Sequence, residues 1–427
     1  MQLRDYKNVH CIGIGGIGLS AIARYCNSNG AKVSGSDVSS SRITDDLQKE
    51  GINIFIGHKS DNLKKDTDLV IYSIAVLDDN PELIEARNKN ILCMTYPEAL
   101  GTLTQEYKTI AVCGTHGKTT TTAMIASMLK ACGKSPTVIV GSLLSEGGTN
   151  FIQGNSEYLV VEACEYRRSF LNLFPTYVVV TNIDEDHLDY YKDMNDIHSA
   201  FQSFADKVPK DGCLVTHSDV KLNTQGKKIN DDSIDANNIE LSVLGNHNHS
   251  NANLALSLAK TLGLDELKAR EGLKNFTGTW RRLEYKGKTK NGIIVYDDYG
   301  HHPVEIKATL EALREAYPKG KNILHIFFQP HLYSRTKLLL DDFAKAFDEA
   351  DIVYVMPIYA AREKNDNTIS SLDLVEKLKL RGVNAQILDN IQVMKSFIEN
   401  ITDSKSIVLN SGAGDAYTVL NEINLVK

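Results

Sequence analysis

Short apolar segments alternate with helix-like segments along nearly the whole chain, and this alternation restricts the fold more than any other feature. Residues 9–14 have the pattern of a strand, and residues 19–29 follow with helical spacing. Such alternation predicts an α/β protein with parallel sheets flanked by helices. Further predicted strands are 31–35, 69–73, 91–94, 109–112, 158–162, 177–182, 293–296, 323–328, 352–356, 385–388 and 406–409, and further predicted helices are 304–316 and 337–350.

The length of the chain indicates that this pattern extends over several domains. With 427 residues the chain exceeds a typical single domain. We predict three α/β domains, at residues 1–106, 107–279 and 280–427. The polar segment 219–238 is rich in Asn, Asp and Lys and is predicted to be a loop or hairpin inside the second domain. Ligands of open α/β sheets bind beyond the carboxyl ends of the strands, so polar residues there are the candidate site residues.

The composition excludes several classes of protein. A hydrophobic content of 42% and a charged content of 24% are typical of a soluble globular protein. A net charge of -7 and a pI near 6.0 argue against a nucleic-acid partner. The seven cysteines form no C-x-x-C pair, which favours a reducing compartment. We see no apolar signal core and no apolar run near the ~18–20 residues of a membrane span, so we expect a cytoplasmic protein without a membrane partner.

The segment Gly13-Ile-Gly-Gly-Ile-Gly18 matches G-x-G-x-x-G between a predicted strand and a predicted helix. Its glycines allow a tight turn, and the helix amino terminus can receive a diphosphate. Asp37 follows the next strand, where an acid can meet a ribose hydroxyl. The motif alone fits NAD, another diphosphate ligand such as a nucleotide sugar, or a tight turn without a ligand.

A second phosphate-binding pattern is Gly114-Thr-His-Gly-Lys-Thr119, which also lies between a strand and a helix. The Walker A spacing would place its first glycine at Val112, so the glycine spacing here is shorter. Lys118 can reach the β- and γ-phosphate oxygens, and the Thr119 hydroxyl can face Mg²⁺. The alternative is a Gly–Lys turn without function.

Two strand ends in the same predicted domain carry candidate metal ligands. Glu162 ends one strand, and His187 follows another within Asn182-Ile-Asp-Glu-Asp-His187. Because both lie at the edge of the sheet that carries the phosphate loop, they could converge on Mg²⁺, which prefers oxygen ligands. Taken singly, each residue is as well explained as a solvated acid and an ordinary surface or core histidine.

Together these residues resemble the Mur ligases, ATP-dependent enzymes that form amide bonds in peptidoglycan assembly. The segments that carry the resemblance are Gly114-Thr-His-Gly-Lys-Thr-Thr-Thr121, Glu162-Ala-Cys-Glu-Tyr-Arg-Arg-Ser-Phe170 and Thr181-Asn-Ile-Asp-Glu-Asp-His187. Within the family, Asp297-Asp-Tyr-Gly-His-His-Pro303 and Phe328-Gln-Pro-His-Leu-Tyr-Ser-Arg-Thr336 resemble the members that join L-alanine to UDP-N-acetylmuramate. The resemblance implies a Rossmann-like UDP-binding domain, a central ATPase domain and a Rossmann-like C-terminal domain for the amino acid.

The resemblance also implies a role for each matching residue. The UDP sugar is bound by Gly15, Gly16, Ile17, Gly18, Asp37 and Ser73. ATP is bound by Gly114, Thr115, His116, Gly117, Lys118, Thr119, Thr120, His247, Asn251, Arg282 and Asp298. Thr119, Glu162 and His187 organise Mg²⁺, and His301 and Arg335 lie near the incoming L-alanine. The implied catalytic residues are Lys118, Glu162, His187, His301 and Arg335.

The implied reaction has two steps. ATP phosphorylates the lactyl carboxylate of UDP-N-acetylmuramate, and the amine of L-alanine then attacks the acyl phosphate. We expect a monomer or weak homodimer. The alternatives are a ligase that adds a recycled tripeptide to the same sugar nucleotide, an NAD-dependent oxidoreductase with an added ATPase, and a non-catalytic sugar-nucleotide sensor.

The chain also departs from the family pattern. Arg167 and Arg168 replace small or acidic residues, Leu332 replaces a frequent arginine, and Ile74 replaces the second serine of a pair near the UDP site. Residues 201–203 read Phe-Gln-Ser, so we expect no carbamylated lysine there. Without the resemblance, Arg281 and Arg282 would be interpreted as an ordinary solvated pair.

Overall fold

The computed structural model describes residues 2–144, 148–188, 190–231, 239–361, 363–365 and 367–426. The chain divides into two compact units. Unit 1 comprises Met1–Leu241 and His249–Phe276, and unit 2 comprises Ser242–Asn248 and Thr277–Lys427. Unit 1 contains two sheets and unit 2 contains one, so the α/β class with three sheet-containing parts is confirmed.

The first sheet of unit 1 has five parallel strands in the order β3-β2-β1-β4-β5. The chain returns to the sheet centre between β3 and β4, so β1 and β4 are neighbours and flank the crevice where such sheets bind ligands. The strands are β1 (Asn8–Ile12), β2 (Lys32–Asp37), β3 (Asn53–Ile56), β4 (Leu69–Tyr72) and β5 (Leu92–Thr95), and the helices are α1 (Ile17–Ser28), α2 (Arg42–Lys49), α3 (Pro81–Asn88) and α4 (Tyr96–Thr104).

The second sheet of unit 1 has seven strands in the order β12-β11-β10-β6-β9-β7-β8, and only β8 runs antiparallel to its neighbour among the described pairs. The strands are β6 (Lys108–Cys113), β7 (Thr137–Ile139), β8 (Phe151–Ile152), β9 (Tyr158–Glu162), β10 (Tyr177–Val180), β11 (Cys213–Thr216) and β12 (Lys227–Asn230). The helices are α5 (Lys118–Ala131), α6 (Met194–Ala205), α7 (Asn246–Thr261) and α8 (Glu266–Lys274), and Asn246, His247 and Asn248 of α7 belong to unit 2.

Unit 2 contains a six-stranded sheet in the order β13-β14-β18-β15-β16-β17, in which β13 pairs antiparallel with β14. The strands are β13 (Glu284–Lys288), β14 (Ile294–Asp298), β15 (Ile323–Phe328), β16 (Ile352–Val355), β17 (Asn384–Ile387) and β18 (Ser406–Ser411). The helices are α9 (Pro303–Ala316), α10 (Tyr333–Leu338), α11 (Leu340–Ala346), α12 (Ser371–Leu380), α13 (Val393–Asn400) and α14 (Tyr417–Leu420).

Buried apolar side chains explain these layers. In unit 1 one continuous cluster joins both sheets and includes Ile22, Leu103 and Val178. In unit 2 the sheet is covered on both faces, because successive strand residues point to opposite sides. Phe328 of β15 belongs to one cluster and Phe327 to the other, and both are fully buried.

Two predictions about elements were wrong. Residues 337–350 were predicted as one helix, but α10 ends at Leu338 and α11 begins at Leu340. The segment 219–238 was predicted as a loop or hairpin, but it contains β12, which pairs parallel with β11. β12 was missed because it lies at the sheet edge and its mostly exposed sequence is Lys-Lys-Ile-Asn. Residues 232–238 of that segment lie outside the described residues. No helix in the described part of the chain is long and apolar enough to cross a membrane.

Candidate functional site

The phosphate loop occupies the turn between β6 and α5, and two of its glycines are required by the backbone. Gly114 has φ +138° and Gly117, which caps α5, has φ +81°. Side chains other than glycine rarely adopt such angles. A Cβ atom on Gly114 would also collide with the hydroxyl of Thr181. The loop therefore approaches β10 as closely as its backbone allows.

Residues that follow β10 hold the loop in place. The N–H of His116 donates to Asn182 Oδ1 at 2.8 Å, and the Asp184 N–H donates to Thr115 Oγ1 at 2.8 Å. The carbonyl oxygen of His116 accepts from the Asn182 amide at 3.1 Å. The Thr-Asn-Ile-Asp segment thus shapes the loop from outside, and His116 contributes to it through its backbone.

Lys118 is the first residue of α5, and its ammonium group lies over the loop. Its Nζ donates to the carbonyl oxygens of Gly114 (2.6 Å) and Thr115 (3.0 Å) and lies 3.0 Å from Glu165 Oε1. Burial alone would lower the pKa of Lys118, but the Glu165 carboxylate and neighbouring groups outweigh burial and raise that pKa above its ordinary value. Lys118 is therefore a fixed positive charge beside the loop.

The three predicted metal ligands do not all contact one another and instead make two separate contacts. Thr119 Oγ1 donates to Glu162 Oε2 at 2.8 Å. His187, by contrast, has its Nε2 3.5 Å from Glu165 Oε1, and its ring packs on Tyr166 at a centroid distance of 4.7 Å. Within the described ranges, no group of three or more His, Cys, Asp or Glu side chains has the arrangement of a metal site.

The chemistry of these side chains nevertheless fits Mg²⁺, which prefers hard oxygen ligands and usually keeps several waters. The Thr119 hydroxyl and the Glu162 carboxylate are adjacent oxygen donors. Glu165 Oε2 is buried and has no hydrogen-bond partner among the described residues. Buried polar atoms normally have a partner, so this oxygen is suited to a ligand or a cation.

The first glycine loop borders a cleft of about 770 Å³ beyond the carboxyl ends of β1 and β4. Gly13, Gly15, Gly16, Asp37 and Ser73 all line this cleft. The N–H of Gly15 donates to Asp37 Oδ2 at 2.8 Å, and a Cβ on Gly15 would come within 2.9 Å of that oxygen. The predicted glycines and acid are therefore brought together.

Two further residues predicted for the same ligand directly follow the glycine loop. Ile17 and Gly18 lie in the first turn of α1. A Cβ on Gly18 would approach the Tyr96 ring to 2.5 Å. The last glycine of the motif therefore allows close packing between α1 and α4.

In unit 2 the structure brings His301 and Arg335 to a common partner, His331. The rings of His301 and His331 have centroids 5.8 Å apart, and Arg335 Nη1 lies 3.4 Å from His331 Nδ1. Leu332, which precedes α10, has φ +70°, a strained conformation for a branched residue. Such strain is found at functional sites, where the surrounding structure maintains it.

The residues of unit 2 that were predicted to contact ATP have different local surroundings. Burial lowers the pKa of His247, and the positive charge of Arg282 lowers it further. Asp298 is buried and accepts the N–H groups of Leu283 (2.7 Å) and Gly300 (2.8 Å). Burial raises the pKa of Asp298. The carboxylate of Asp298 thus stabilises the turn after β14.

Arg281 is not the solvated residue that its sequence neighbourhood suggests. Its side chain is 2% exposed, and its Nε lies 3.0 Å from Asp297 Oδ2. Its guanidinium also lies 4.4 Å from the centroid of the Tyr417 ring. Arg281 is therefore a buried structural residue, whereas Arg282 is partly exposed and lies 3.5 Å from Glu305 Oε1.

Comparison with known protein families assigns the whole architecture. The Mur ligase family, catalytic domain model matches residues 8–108, the Mur ligase middle domain model matches 112–234, and the Mur ligase, glutamate ligase domain model matches 281–414. The chain belongs to the Mur ligase family.

Individual relatives of this Mur ligase agree with that assignment. A UDP-N-acetylmuramate–L-alanine ligase from Clostridium botulinum is 43% identical, covering 97% of this chain and 96% of its own. A protein of the same name from Clostridium acetobutylicum is 41% identical with the same coverage. The crystal structure of UDP-N-acetylmuramate-alanine ligase from Thermotoga maritima is 31% identical, with a TM-score of 0.81 and 97% coverage of both chains. A murein peptide ligase from Psychrobacter arcticus, 21% identical with a TM-score of 0.69, shares the fold.

Two residues of this Mur ligase belong to the candidate sites but were absent from the predicted set. Glu165 contacts both Lys118 and His187, and His331 lies between His301 and Arg335. Both lie inside the two segments 162–170 and 328–336 that carry the resemblance. The sequence signal was therefore present, but it did not show which polar residue of each segment faces the site.

The arginines that depart from the family pattern have an unusual backbone. Arg167 and Arg168 have φ values of +51° and +55°. Arg168 Nη2 pairs with Asp196 Oδ1 of α6 at 2.6 Å, and Arg167 is exposed beside the Tyr166 ring. The ion pair to α6 gives Arg168 a local structural role.

Proposed function

We propose that this chain ligates L-alanine to the lactyl carboxylate of UDP-N-acetylmuramate, with conversion of ATP to ADP and phosphate, in peptidoglycan precursor synthesis. The observation that carries the proposal is the similarity, over 97% of the chain, to Clostridium proteins of that name. The phosphate loop with its charged Lys118 supports the use of ATP.

Lys118 would serve the first step through its charge. A carboxylate attacks a phosphoryl group only when the negative charge of the phosphates is neutralised. We propose that Lys118 exchanges its contacts with the Gly114 and Thr115 carbonyl oxygens for phosphate oxygens, while Glu165 keeps its ammonium in place. The bond from the γ-phosphorus to the bridging oxygen breaks, and the lactyl carboxylate becomes an acyl phosphate.

Thr119, Glu162 and His187 would hold Mg²⁺, Thr119 and Glu162 as oxygen donors. When bound, Mg²⁺ supplies further neutralisation of phosphate charge. The remaining loop residues would surround the phosphates, with the α5 amino terminus adding its partial positive charge. His247 and Asn251 stay proposed contacts of the adenine, Asp298 of the ribose and Arg282 of the phosphates.

We propose that unit 2 holds L-alanine. The guanidinium of Arg335 can bind its carboxylate with two parallel hydrogen bonds. His301 can accept a proton as the ammonium becomes an amine, after which the amine attacks the acyl carbon and phosphate leaves. The cleft lined by Gly15, Gly16, Asp37 and Ser73 would hold the UDP portion of the other substrate.

We further propose a cytoplasmic location, a monomer or weak homodimer, and the domain boundaries 1–106, 107–279 and 280–427. Size measurement by sedimentation and limited proteolysis of the purified chain would test the last two proposals.

The reaction is tested by measuring ADP release from ATP with each substrate omitted in turn. We expect release only when UDP-N-acetylmuramate and L-alanine are both present. The same assay is repeated with other amino acids and with the tripeptide L-alanyl-γ-D-glutamyl-meso-diaminopimelate. The assignment would be overturned if the tripeptide were the only amino substrate that supported ADP release, or if no amino substrate stimulated ADP release.

A further inference from the structure

Three side chains outside the residues assigned above form a continuous hydrogen-bonded chain in unit 1. His217 Nδ1 lies 2.5 Å from Asp231 Oδ2, and His217 Nε2 lies 3.0 Å from Ser250 Oγ. The His217 and Asp231 side chains are mostly buried, at 19% and 11% exposed. A histidine that contacts a carboxylate on one nitrogen and a hydroxyl on the other has a fixed ring orientation.

Sheet register explains why these residues meet. β11 and β12 pair in parallel with Thr216 opposite Asn230. His217 and Asp231 each follow by one residue, so they lie side by side at the carboxyl edge that also carries the phosphate loop. Ser250 lies in α7, and its hydroxyl reaches His217 at this edge.

The arrangement resembles a nucleophilic serine with its base and orienting acid, but the position of Ser250 argues against acyl transfer. Such a serine needs N–H groups directed at a developing oxyanion. Ser250 lies four residues after the first residue of α7, Asn246, so its N–H and that of Asn251 are used inside the helix. The three-residue chain therefore fits positioning better than covalent chemistry.

The neighbouring residue on α7 shows what is positioned. Asn251 is 6% exposed, and a Cβ atom on Gly117 of the phosphate loop would come within 2.8 Å of Asn251 Oδ1. Ser250 and Asn251 are consecutive, so a hydrogen bond that fixes the rotation of α7 at Ser250 also fixes the approach of Asn251 to the loop.

We propose that His217 is a positioning residue for the nucleotide: Asp231 orients it, it holds Ser250, and it thereby keeps Asn251 against the phosphate loop. The ligand served is a purine nucleoside triphosphate, and the inference rests on the proposed use of ATP. Its signature is a change in ATP affinity without a change in binding of the sugar nucleotide.

The test compares ATP binding and steady-state kinetics of Ser250→Ala, Ser250→Thr and His217→Ala. Losing this hydrogen bond is expected to raise the KM and Kd for ATP about fivefold to tenfold in Ser250→Ala and His217→Ala. The kcat and the affinity for UDP-N-acetylmuramate should change less than twofold. Ser250→Thr keeps the hydroxyl and should restore ATP affinity. His217→Ala and Ser250→Ala remove the same hydrogen bond. The variant that carries both substitutions should therefore bind ATP no more weakly than His217→Ala.

Ser257→Ala is the matched control, because Ser257 is buried on the same helix and its hydroxyl makes no hydrogen bond with described residues. It should bind ATP like the unmodified chain. Normal ATP affinity in Ser250→Ala, or equal losses in Ser257→Ala and Ser250→Ala, would overturn the inference. If His217→Ala fails to fold, Ser250→Ala decides, since alanine is favourable in a helix. Absence of any ATP binding by the unmodified chain would instead overturn the proposed function.

Discussion

At the scale of single residues, the site depends on a buried charge pair. Lys118 is 15% exposed and Glu165 is 4% exposed, and each makes further polar contacts. A buried pair gains little net stability over apolar packing, but removal of one partner leaves the other charge uncompensated. Lys118 and Glu165 are therefore coupled, and substitution of either one tests both catalysis and stability.

Replacement of Lys118 by alanine should abolish turnover and leave sugar-nucleotide binding nearly intact. We expect kcat to fall at least about 100-fold, because the variant lacks the charge that we propose neutralises the phosphates. Calorimetric titration should give a Kd for UDP-N-acetylmuramate within twofold of the unmodified chain, since no residue of the phosphate loop lines the cleft proposed to hold this substrate. Lys134→Ala, at an exposed position beyond α5, is the control. Loss of both turnover and sugar-nucleotide binding in Lys118→Ala would show that the two glycine loops are not separate sites.

Glu165→Gln should change how stability depends on pH. Burial alone would raise the pKa of Glu165, but the charge of Lys118 and the contact with His187 lower it below its ordinary value. A lowered pKa in the folded state contributes stability above the unfolded value of about 4.3, and this contribution is lost as the pH falls through the folded value.

We therefore expect Glu165→Gln to lower the free energy of unfolding by about 3 kcal/mol at pH 7, with the difference shrinking as the pH falls below about 4 and disappearing only once the pH has passed the lowered pKa of Glu165. Urea unfolding followed by circular dichroism at a series of pH values measures this. A difference that is independent of pH would mean that packing, and not charge, connects Glu165 to stability.

At the scale of elements, the turn between β6 and α5 allows a matched comparison. Gly114 and Gly133, which lie before and after α5, both have positive φ. A Cβ on Gly114 would collide with Thr181, whereas a Cβ on Gly133 would meet nothing within 4 Å. Gly133→Ala should lower the free energy of unfolding only by the cost of a left-handed backbone conformation, roughly 1–2 kcal/mol. It should retain ATP binding. Gly114→Ala should cost more and lose ATP binding, as measured by thermal unfolding and titration. Equal behaviour of the two variants would contradict a steric role for Thr181.

Elements with strong local patterns were predictable from the sequence, and residues selected by tertiary contacts were not. The strand at 323–328 was predicted with its observed bounds, because a mainly apolar run precedes a polar segment, and five of its six residues are buried. The strand β12 was missed because its pairing with β11, and not its own composition, makes it a strand. The loop lysine followed from its spacing, whereas Glu165 became recognisable only when its distance to Lys118 was known.

At the scale of the whole molecule, three sheets form two units because the sheets of unit 1 share a core. Leu103, beside the first sheet, and Val178, in the second, belong to one buried cluster, whereas the clusters around β15 lie within unit 2. A shared core makes parts of a chain unfold together, and separate cores permit separate transitions. The unfolding of unit 1 and the unfolding of unit 2 can therefore be measured separately.

We expect UDP-N-acetylmuramate to stabilise unit 1 more than unit 2. At about 100 times its Kd, a ligand that binds only the folded state adds about 2.7 kcal/mol to the unit that holds it. The only tryptophan, Trp280, lies in unit 2, so its fluorescence follows that unit, while circular dichroism follows both. The ligand should shift the dichroism transition in urea more than the fluorescence transition. Asp37→Ala should abolish the shift, because it alters the cleft in unit 1. Equal shifts in both signals would mean that the two units unfold as one.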